Sequence, residues 1–317
     1  MDYNLKDIKK KQILITGSNG LLGTALKLKF YEMGFSNVLC PSKSELDLFD
    51  KKKCNLYFEK HSIEIVIHLA GHVLGLGGNL NNQIQSYEKN SIINFNLISC
   101  IAKFKIKKIF FAGTVASYPF SHLNKRLKEE FFFDGLPHEG ELGYALAKRN
   151  SYNHLLVLQN EFGLEYTYGI FTNLFGKNDR FNETNGHVIP SLISKAFEAK
   201  KNNSIFKIWG NKKSKRDFMY SEDAAEIIIE TLLLKENLVL NIGSGQSITI
   251  EQVVSTISDF FDIKKIQYEE DKPIGISKRF INIDKLSRHI KYKRTPFDVA
   301  LKETCQWYQE NFKYVRR

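Results

Sequence analysis

The feature that most constrains the fold is a glycine-rich turn between a short apolar segment and a helical one. Residues Gln12 to Thr16 are mostly apolar and lead into Gly17, and apolar-periodic, helix-forming residues follow from Leu21 to Met33. Glycines at positions 17, 20 and 23 allow a tight turn, a close approach of backbone amides to a pyrophosphate, and close packing of the helix on the strand. The order strand, turn and helix therefore predicts a dinucleotide site.

Further segments continue this alternation along the first half of the chain. Short strands are predicted over Asn37 to Cys40, Ile63 to Leu69 and Lys108 to Ala112, and a helix is predicted over Ser91 to Phe104. Strands that alternate with helices form right-handed crossovers between parallel neighbours. The pattern therefore predicts an α/β fold with a doubly wound parallel sheet.

Beyond Phe175 the alternation becomes irregular, with a loop signal over residues 177–186. We therefore expect a dinucleotide-binding domain over 1–175 and a smaller α/β substrate-binding lobe over 176–317, interleaved with the first near 215–245. A chain of 317 residues, of which 43% are hydrophobic, is long enough for each unit to bury a core.

Composition and charge exclude several classes of protein. No apolar run approaches the roughly 18 to 20 residues that cross a bilayer, so we predict a cytoplasmic protein that does not bind membranes. The net charge of +11 suits an anionic ligand, but the lysines are spread along the chain, so nucleic acid is not an expected partner. Four cysteines without CxxC spacing argue against a disulfide framework or a zinc site; they are Cys40, Cys54, Cys100 and Cys305.

The residues after the second predicted strand indicate which dinucleotide is bound. In an NAD site, an acidic residue at this place holds the ribose 2′-hydroxyl and repels a 2′-phosphate. The stretch Pro41 to Ser44 has no acid, and the first one is Glu45. Hydroxyl and ammonium donors favour the additional phosphate, so we predict NADP(H) held through Ser42 and Lys43. The alternative is a solvated lysine in a surface loop.

A tyrosine and a lysine four residues apart, Tyr144 and Lys148, lie in a helical stretch. This spacing places both side chains on one helix face, about 5 to 6 Å apart between Cβ atoms. A phenol ordinarily has a pKa near about 10, and we expect the ammonium to lower that pKa. Thr114 ends the fourth predicted strand, and its hydroxyl can hydrogen-bond the same substrate oxygen as Tyr144. The three residues together predict a site that exchanges a proton with a substrate oxygen.

Motifs spread over most of the chain share the pattern of one known family. They are ITGSNGLLG at 15–23, HLAG at 68–71 with a glycine-rich loop ending at Asn79, YALAK at 144–148, FTNLFGKNDRF at 171–181, NGHVIPSLI at 185–193, IWG at 208–210, RDFMYSEDAA at 216–225, NIGSG at 241–245 and DKPIG at 271–275. From about Ile13 to Phe312 the chain resembles the extended short-chain dehydrogenase/reductases and, within them, the GDP-L-fucose synthase family. The resemblance implies a Rossmann-type sheet and reduction, by NADPH, of the C4 keto group of a GDP-linked 4-keto-6-deoxy sugar.

The resemblance also implies which residues bind and react. Thr114, Tyr144 and Lys148 match the catalytic Ser/Thr, Tyr and Lys, and hydride passes from the nicotinamide to the C4 carbonyl. Asp47 and Leu48 match the contact with adenine. The predicted cofactor site comprises Gly17, Ser18, Asn19, Gly20, Leu21, Leu22, Gly23, Ser42, Lys43, Asp47, Leu48, Leu69, Ala70, Gly71, Tyr144, Lys148, Phe171, Asn173 and Leu174.

Six residues fall where the family holds the GDP-sugar. They are Asn173, Val188, Lys195, Trp209, Arg216 and Lys278. An amide and several cations suit a diphosphate, and an indole offers an apolar wall near the guanosine. For Trp209, a role in the core is an equal alternative. Related enzymes are commonly dimers built through the helices that flank the sheet, so a homodimer is expected.

The family's reaction includes a double epimerisation at C3 and C5, for which a cysteine and a histidine act as base and acid. His187 matches the histidine. Ala116 occupies the expected cysteine position, and a methyl group cannot remove a carbon-bound proton. Ser117 has an unactivated hydroxyl and is a poor substitute. We therefore expect C4 reduction to be retained and epimerisation to be lost or greatly weakened.

Departures from the family pattern leave the sugar open. Ile274 and Ser277 stand where the family usually has Asp and Pro, and His72 stands where Lys is common, so the glycosyl group is a hexose or a heptose. Alternative functions are a bifunctional GDP-L-fucose synthase, a nucleotide-sugar 4-epimerase, a 4,6-dehydratase and a non-catalytic NADP-binding sensor. The missing acid after the second strand argues against the 4-epimerase, Val115 and Ala116 argue against the dehydratase, and the intact catalytic set argues against the sensor.

Overall fold

Strands and helices alternate along most of the chain. A computed structural model describes residues 3–74, 78, 81–182, 186–269 and 278–316, with Lys278 by its backbone alone. The strands are β1 (Ile13–Thr16), β2 (Val38–Leu39), β3 (Ile65–His68), β4 (Lys108–Thr114), β5 (Glu165–Phe171), β6 (Asn173–Phe175), β7 (Phe206–Trp209), β8 (Lys215–Arg216), β9 (Phe218–Tyr220), β10 (Leu238–Ile242), β11 (Ile248–Thr249), β12 (Ile266–Glu269) and β13 (Lys278–Arg279). The described helices are α1 (Leu5–Lys10), α2 (Leu21–Glu32), α3 (Lys51–Lys60), α4 (Gln83–Phe104), α5 (Leu142–Phe162), α6 (Val188–Lys201), α7 (Ser221–Thr231), α8 (Ile250–Phe261), α9 (Asp284–His289) and α10 (Phe297–Asn311). Short 3₁₀ turns lie at Val115–Ser117, Phe120–His122, Glu129–Phe131 and Glu139–Glu141.

Six of these strands form one parallel sheet in the order β2-β1-β3-β4-β5-β10. Strands β1 and β3 are buried along their whole length, as expected when helices cover both faces of a sheet. Leu14 and Val66 belong to the apolar core on one face, whereas Ile13 and Ile65 belong to the core on the other. The predicted α/β fold with a doubly wound, Rossmann-type sheet is confirmed.

The helix predicted from Ser91 begins earlier, at Gln83. Its first two turns are mostly polar, so the sequence shows no apolar periodicity there. Asn90 is nevertheless fully buried there, and its amide nitrogen donates hydrogen bonds to the carbonyl oxygens of His72 at 2.9 Å and Ser86 at 2.7 Å. A buried asparagine that satisfies backbone groups stabilises these turns in place of apolar contacts.

A second layer contains the small sheets β7-β12, β6-β9 and β11-β8-β13. Helices α6, α8 and α10 contribute to a third apolar core beneath them. The edge strand β10 of the central sheet comes from this half of the chain, and the division at residue 175 stays a prediction. Within the described ranges, we find no helix long and apolar enough to span a membrane.

Candidate active site

The predicted glycine turn lies at the switch point of the sheet, where β1 stands between β2 and β3. Gly17 follows β1 with a φ of +74°, and a Cβ added to it would lie 2.7 Å from the backbone nitrogen of Ala70. A Cβ on Gly23 would lie 2.2 Å from the carbonyl oxygen of Gly17. Only glycine fits both places, so the turn, the start of α2 and the residues after β3 form one close-packed backbone surface.

The residues predicted to meet the adenosine end of the cofactor lie in an exposed loop after β2. The backbone nitrogen and the hydroxyl of Ser42 both donate to Glu45 Oε2 at 2.7 Å, so this hydroxyl is already engaged. The ammonium of Lys43 lies 5.2 Å from the ring centroid of Phe49, and no carboxylate of the described residues lies within 4.0 Å of it. Leu48 is buried, and its carbonyl accepts a hydrogen bond from Asn96 at 2.8 Å. Of the two predicted phosphate donors, Lys43 is therefore the more available.

A buried polar chain connects the ends of β1 and β3. His68 Nδ1 lies 2.7 Å from Thr16 Oγ1, and His68 Nε2 lies 3.0 Å from Asn94 Oδ1. Burial, and secondarily the charge of Lys148, lower the pKa of His68 to about 3, so the imidazole is neutral. Thr16 Oγ1 also accepts a hydrogen bond from the backbone nitrogen of Ala70 at 3.4 Å. The sequence did not identify this support beneath the glycine turn.

Lys148 is buried to 2% exposure and lies on the same helix as Tyr144. Its Nζ is 6.0 Å from the ring centroid of Tyr144 and 4.8 Å from that of Phe111 on β4. A Cβ added to Gly71 would lie 3.8 Å from this Nζ, so the ammonium sits beside the end of β3. Burial lowers the pKa of Lys148 to about 7. The predicted pair thus faces the carboxyl edge of the sheet.

The helix that carries Tyr144 is held close to α4 at its first turn. A Cβ on Gly143 would lie 2.2 Å from the carbonyl oxygen of Gln83, and the backbone nitrogen of Gly143 donates to Gln83 Oε1 at 2.7 Å. A larger residue at position 143 would therefore push the two helices apart. The contact between Gly143 and Gln83 therefore fixes the position of the helix turn that carries Tyr144.

Thr114 is the last residue of β4, and a 3₁₀ turn at Val115–Ser117 follows it. Ser117 in this turn donates its hydroxyl to the carbonyl oxygen of Ala145, the residue after Tyr144. The turn after Thr114 and the first turn of α5 are therefore joined directly. Thr114 Oγ1 accepts a hydrogen bond from the backbone nitrogen of Ala116 at 3.2 Å, which leaves its own O–H available as a donor.

The expected lowering of the tyrosine pKa is wrong for the ligand-free chain. Burial, and secondarily the carboxylate of Glu141, raise the pKa of Tyr144 above its ordinary value. Lys148 does not offset this rise, because its own pKa is depressed and its ammonium stands 6.0 Å from the ring centroid. The phenol therefore keeps its proton at neutral pH, which suits a proton donor better than a base.

The turn after Thr114, where the resemblance implies a cysteine, offers no thiol. Ala116 is buried, and the hydroxyl of Ser117 is fully buried and bonded to Ala145. Cys54 and Cys100 lie in the core beneath α3 and α4, Cys40 follows β2, and Cys305 lies on α10 in the third core. None of these four thiols therefore lies in the turn after Thr114.

His187 directly precedes α6, and both it and Val188 are exposed. The nearby Asp179 is buried, and burial raises the pKa of its carboxyl to about 6, an effect that the charge of His187 opposes. In the described part of the chain, His187 makes no hydrogen bond with Tyr144 or Thr114. The structure thus joins the turn after Thr114 to the helix that carries Tyr144 and Lys148, and it places His187 directly before α6.

The predicted substrate residues of the second layer lie in two groups. Lys195 Nζ stands 3.6 Å from the ring centroid of Trp209, whose side chain is 47% exposed, so the core role considered for this indole is excluded. Asn173 instead bonds the carbonyl oxygen of Asp217 through its side chain at 3.0 Å. Lys278 is described by its backbone alone, and Ile274, Ser277, Asn79, Asn185 and the DKPIG motif lie outside the described residues.

Two residues that the sequence did not single out, Arg279 and Glu141, lie close to the predicted substrate residue Arg216. Arg279 is paired in register with Arg216 across β13 and β8. Both terminal nitrogens of Arg279 donate to the carboxylate of Glu141, one of them at 3.1 Å. Glu141 immediately precedes α5, and its charge acts on Tyr144, so this ion pair adjoins the helix that carries Tyr144. The ion pair could not be identified from the sequence, because Glu141 and Arg279 are 138 residues apart in the chain.

A parallel sheet with a glycine turn at its switch point and a buried Tyr–Lys pair beside it defines a nucleotide-dependent α/β enzyme of the short-chain dehydrogenase/reductase type. A model of the NAD dependent epimerase/dehydratase family matches residues 13–243. GDP-L-fucose synthase of Dictyostelium discoideum is 32% identical over 315 residues, which cover 97% of this chain and 98% of the relative. The chain therefore belongs to the NAD dependent epimerase/dehydratase family and, within it, to the GDP-L-fucose synthase family.

Two further comparisons agree with this membership. GDP-L-colitose synthase of Yersinia pseudotuberculosis is 31% identical over 306 residues, covering 94% of this chain and 97% of the relative. The crystal structure of a GDP-L-fucose synthetase from Naegleria fowleri bound to NADP superposes with a TM-score of 0.91 at 30% identity, covering 98% of this chain and 96% of that one. The family resemblance stated from the motifs is confirmed.

Proposed function

We propose that the chain is an NADPH-dependent reductase of the C4 keto group of a GDP-linked 4-keto-6-deoxy sugar. The observation that carries the proposal is the assembly of Thr114, Tyr144 and Lys148 next to the glycine turn. Relatives named GDP-L-fucose synthase and GDP-L-colitose synthase support the substrate class. The NADP bound to the Naegleria fowleri enzyme supports the cofactor.

The residues at the switch point fit a dinucleotide, because Gly17 offers backbone where any side chain would meet Ala70. When bound, the reduced nicotinamide supplies a hydride to C4. Tyr144 donates its proton to the ketone oxygen, while Thr114 donates a hydrogen bond to the same oxygen and orients it. Protonated Lys148 stabilises the phenolate that remains on Tyr144. The ketone thereby gains one hydride and one proton and becomes an alcohol.

The GDP moiety is assigned to the second layer. Arg216 and Arg279 provide adjacent guanidinium groups, which suit the oxygen atoms of a diphosphate. Trp209 and Lys195 form an exposed aromatic and cationic surface, which we assign to the guanosine. These assignments extend the predicted substrate residues by Arg279.

We propose further that epimerisation at C3 and C5 is lost or greatly weakened. The buried methyl group of Ala116 and the engaged hydroxyl of Ser117 support this, because neither is a base. The second candidate is a bifunctional GDP-L-fucose synthase, which the names of the relatives and the retained His187 favour. The two candidates differ in whether protons at C3 and C5 exchange with solvent.

The test is NADPH oxidation against a panel of GDP-linked 4-keto-6-deoxy hexoses and heptoses, run in deuterated water, with NMR of the products. We expect one deoxy sugar to be reduced at C4 with no deuterium at C3 or C5. Deuterium at either carbon would establish the bifunctional candidate, and no oxidation with any member would remove the reductase proposal. Mannose carried on GDP, which has no 4-keto group, is the matched control.

We also propose a homodimer built through helices α4 and α5. Ile84, Ile92 and Phe95 on α4 and Val157 on α5 are large apolar side chains with 44% to 76% exposure. Exposed apolar side chains on neighbouring helices favour association. Light scattering is expected to give twice the monomer mass, and Phe95→Glu is expected to give monomers. A monomeric native chain at micromolar concentration would contradict the proposal.

A further inference from the structure

Glu141 and Arg279 form a two-point ion pair at the edge of the proposed diphosphate site. Both Nη atoms of Arg279 donate to the two carboxylate oxygens of Glu141. The side chains are only 10% and 14% exposed for Arg279 and Glu141, so water screens the pair weakly. A buried two-point bond of this kind holds a guanidinium in one orientation.

Arg216, Arg279 and Glu141 together carry two positive charges and one negative charge. Arg216 lies beside Arg279 in the parallel register of β8 and β13. No carboxylate of the described residues lies within 4.0 Å of the Arg216 guanidinium. Burial, and then the charge of Arg279, lower the pKa of Arg216 to about 10, and Glu141 opposes this lowering. Among the residues that the structure describes, two adjacent cations therefore share one carboxylate, that of Glu141.

One side-chain nitrogen of Arg279 also lacks a hydrogen-bond acceptor among the described residues. Its Nε is buried and makes no hydrogen bond with the described residues. Leaving a buried N–H of a charged group without a partner is costly, so such a group usually meets an acceptor that a ligand supplies. Within the described part of the chain, the Nε–H of Arg279 has no acceptor and Arg216 has no carboxylate of its own, so an anion with several oxygen atoms suits this place.

We propose that Glu141 is the resident counter-ion of the diphosphate site: it holds Arg279 when the site is empty and competes with the diphosphate for this arginine when a nucleotide binds. The proposal rests on the proposed function, because it takes the two arginines as the diphosphate site. Glu141 is thus a positioning residue that stabilises the empty site and weakens nucleotide binding. A purely structural ion pair would stabilise the chain without opposing the nucleotide.

The test variant is Glu141→Gln in the full chain, with GDP as the probe. Without the competing charge, we expect GDP to bind about tenfold more tightly by calorimetry. The empty variant should unfold several degrees lower, because a buried arginine loses its partner, and GDP should raise its melting temperature more than that of the wild type. Glu139→Gln removes an exposed carboxylate from the same 3₁₀ turn and is expected to change neither quantity.

Tighter GDP binding together with lower stability supports the proposal. GDP binding in Glu141→Gln that is unchanged or weaker overturns it, while the proposed function stands if the wild type binds GDP. A wild type that binds NADPH but not GDP overturns the proposed substrate class and this inference together. If Glu141→Gln does not fold, Glu141→Asp keeps the charge but is too short for the two-point bond, and we expect about threefold tighter GDP binding. Unchanged binding in that variant overturns the proposal equally.

Discussion

The hydroxyl of Ser117 donates a hydrogen bond to the carbonyl oxygen of Ala145 at 3.1 Å. Arg149, on the same helix as Ala145, donates to the carbonyl oxygen of Ser117 at 2.7 Å, so the connection is made twice. These bonds join the turn after Thr114 to the helix that carries Tyr144. The turn that follows Thr114 and the helix that carries Tyr144 are therefore fixed relative to each other by the protein, which suits the proposed proton transfer.

Replacement of the phenol tests the assignment of the proton donor. Tyr144→Phe removes the hydroxyl and keeps the ring, so NADPH binding is expected to remain close to that of the wild type. Turnover is expected to fall by on the order of 10² or more, because proton donation to the ketone oxygen is lost. The measurements are NADPH affinity by fluorescence and steady-state kcat. Unchanged turnover would remove Tyr144 from the mechanism.

The buried lysine makes stability depend on pH. The pKa of Lys148 falls from its ordinary 10.5 to about 7, so between these pH values the unfolded chain binds a proton that the folded chain lacks. Stability of the ligand-free protein should therefore rise with pH across this window, and the penalty is complete below it. Lys148→Met removes the penalty, so the variant should be more stable near neutral pH by roughly 1 to 4 kcal/mol, with a smaller difference near pH 10. Urea unfolding at the two pH values checks this, and a difference independent of pH would contradict it.

The role of Gly17 in the turn can be tested by comparison with Gly163, a glycine with a similar backbone conformation. Gly17 and Gly163 have φ values of +74° and +71°, but a Cβ on Gly163 meets nothing within 4 Å. Both alanine variants should lose about 1 kcal/mol of stability from backbone strain. Gly17→Ala should in addition weaken NADPH binding at least about tenfold, since its Cβ forces Ala70 away from the turn. Equal NADPH affinities in the two variants would show that position 17 does not shape the cofactor site.

Preference for the phosphorylated cofactor is expected to depend on Lys43. Lys43→Ala should raise the KM for NADPH about tenfold and leave the KM for NADH nearly unchanged, because only NADPH has the 2′-phosphate. Lys52→Ala removes an equally exposed charge from α3 and serves as the control. If both cofactors lose affinity equally in Lys43→Ala, the ammonium acts through general charge and not through the phosphate.

Features that depend on neighbouring residues were predictable from the sequence. The glycine turn and the spacing of Tyr144 and Lys148 each lie within a few residues, so local geometry determines them. The partnership of Glu141 with Arg279 was not predictable, because only the folded second layer brings the two together. The pKa of Tyr144 was predicted in the wrong direction, since burial cannot be read from a spacing.

The close contact of Gly143 with Gln83 has a consequence for redesign of this enzyme. A helix pair that tolerates no added methyl group at its crossing has no room to move closer, so the crossing is a fixed part of the framework around Tyr144. Directed evolution toward new glycosyl donors should therefore leave this crossing unchanged and randomise the connection at 210–214 and the exposed surface of Trp209. Libraries built that way keep the reaction chemistry constant while the recognised nucleotide changes.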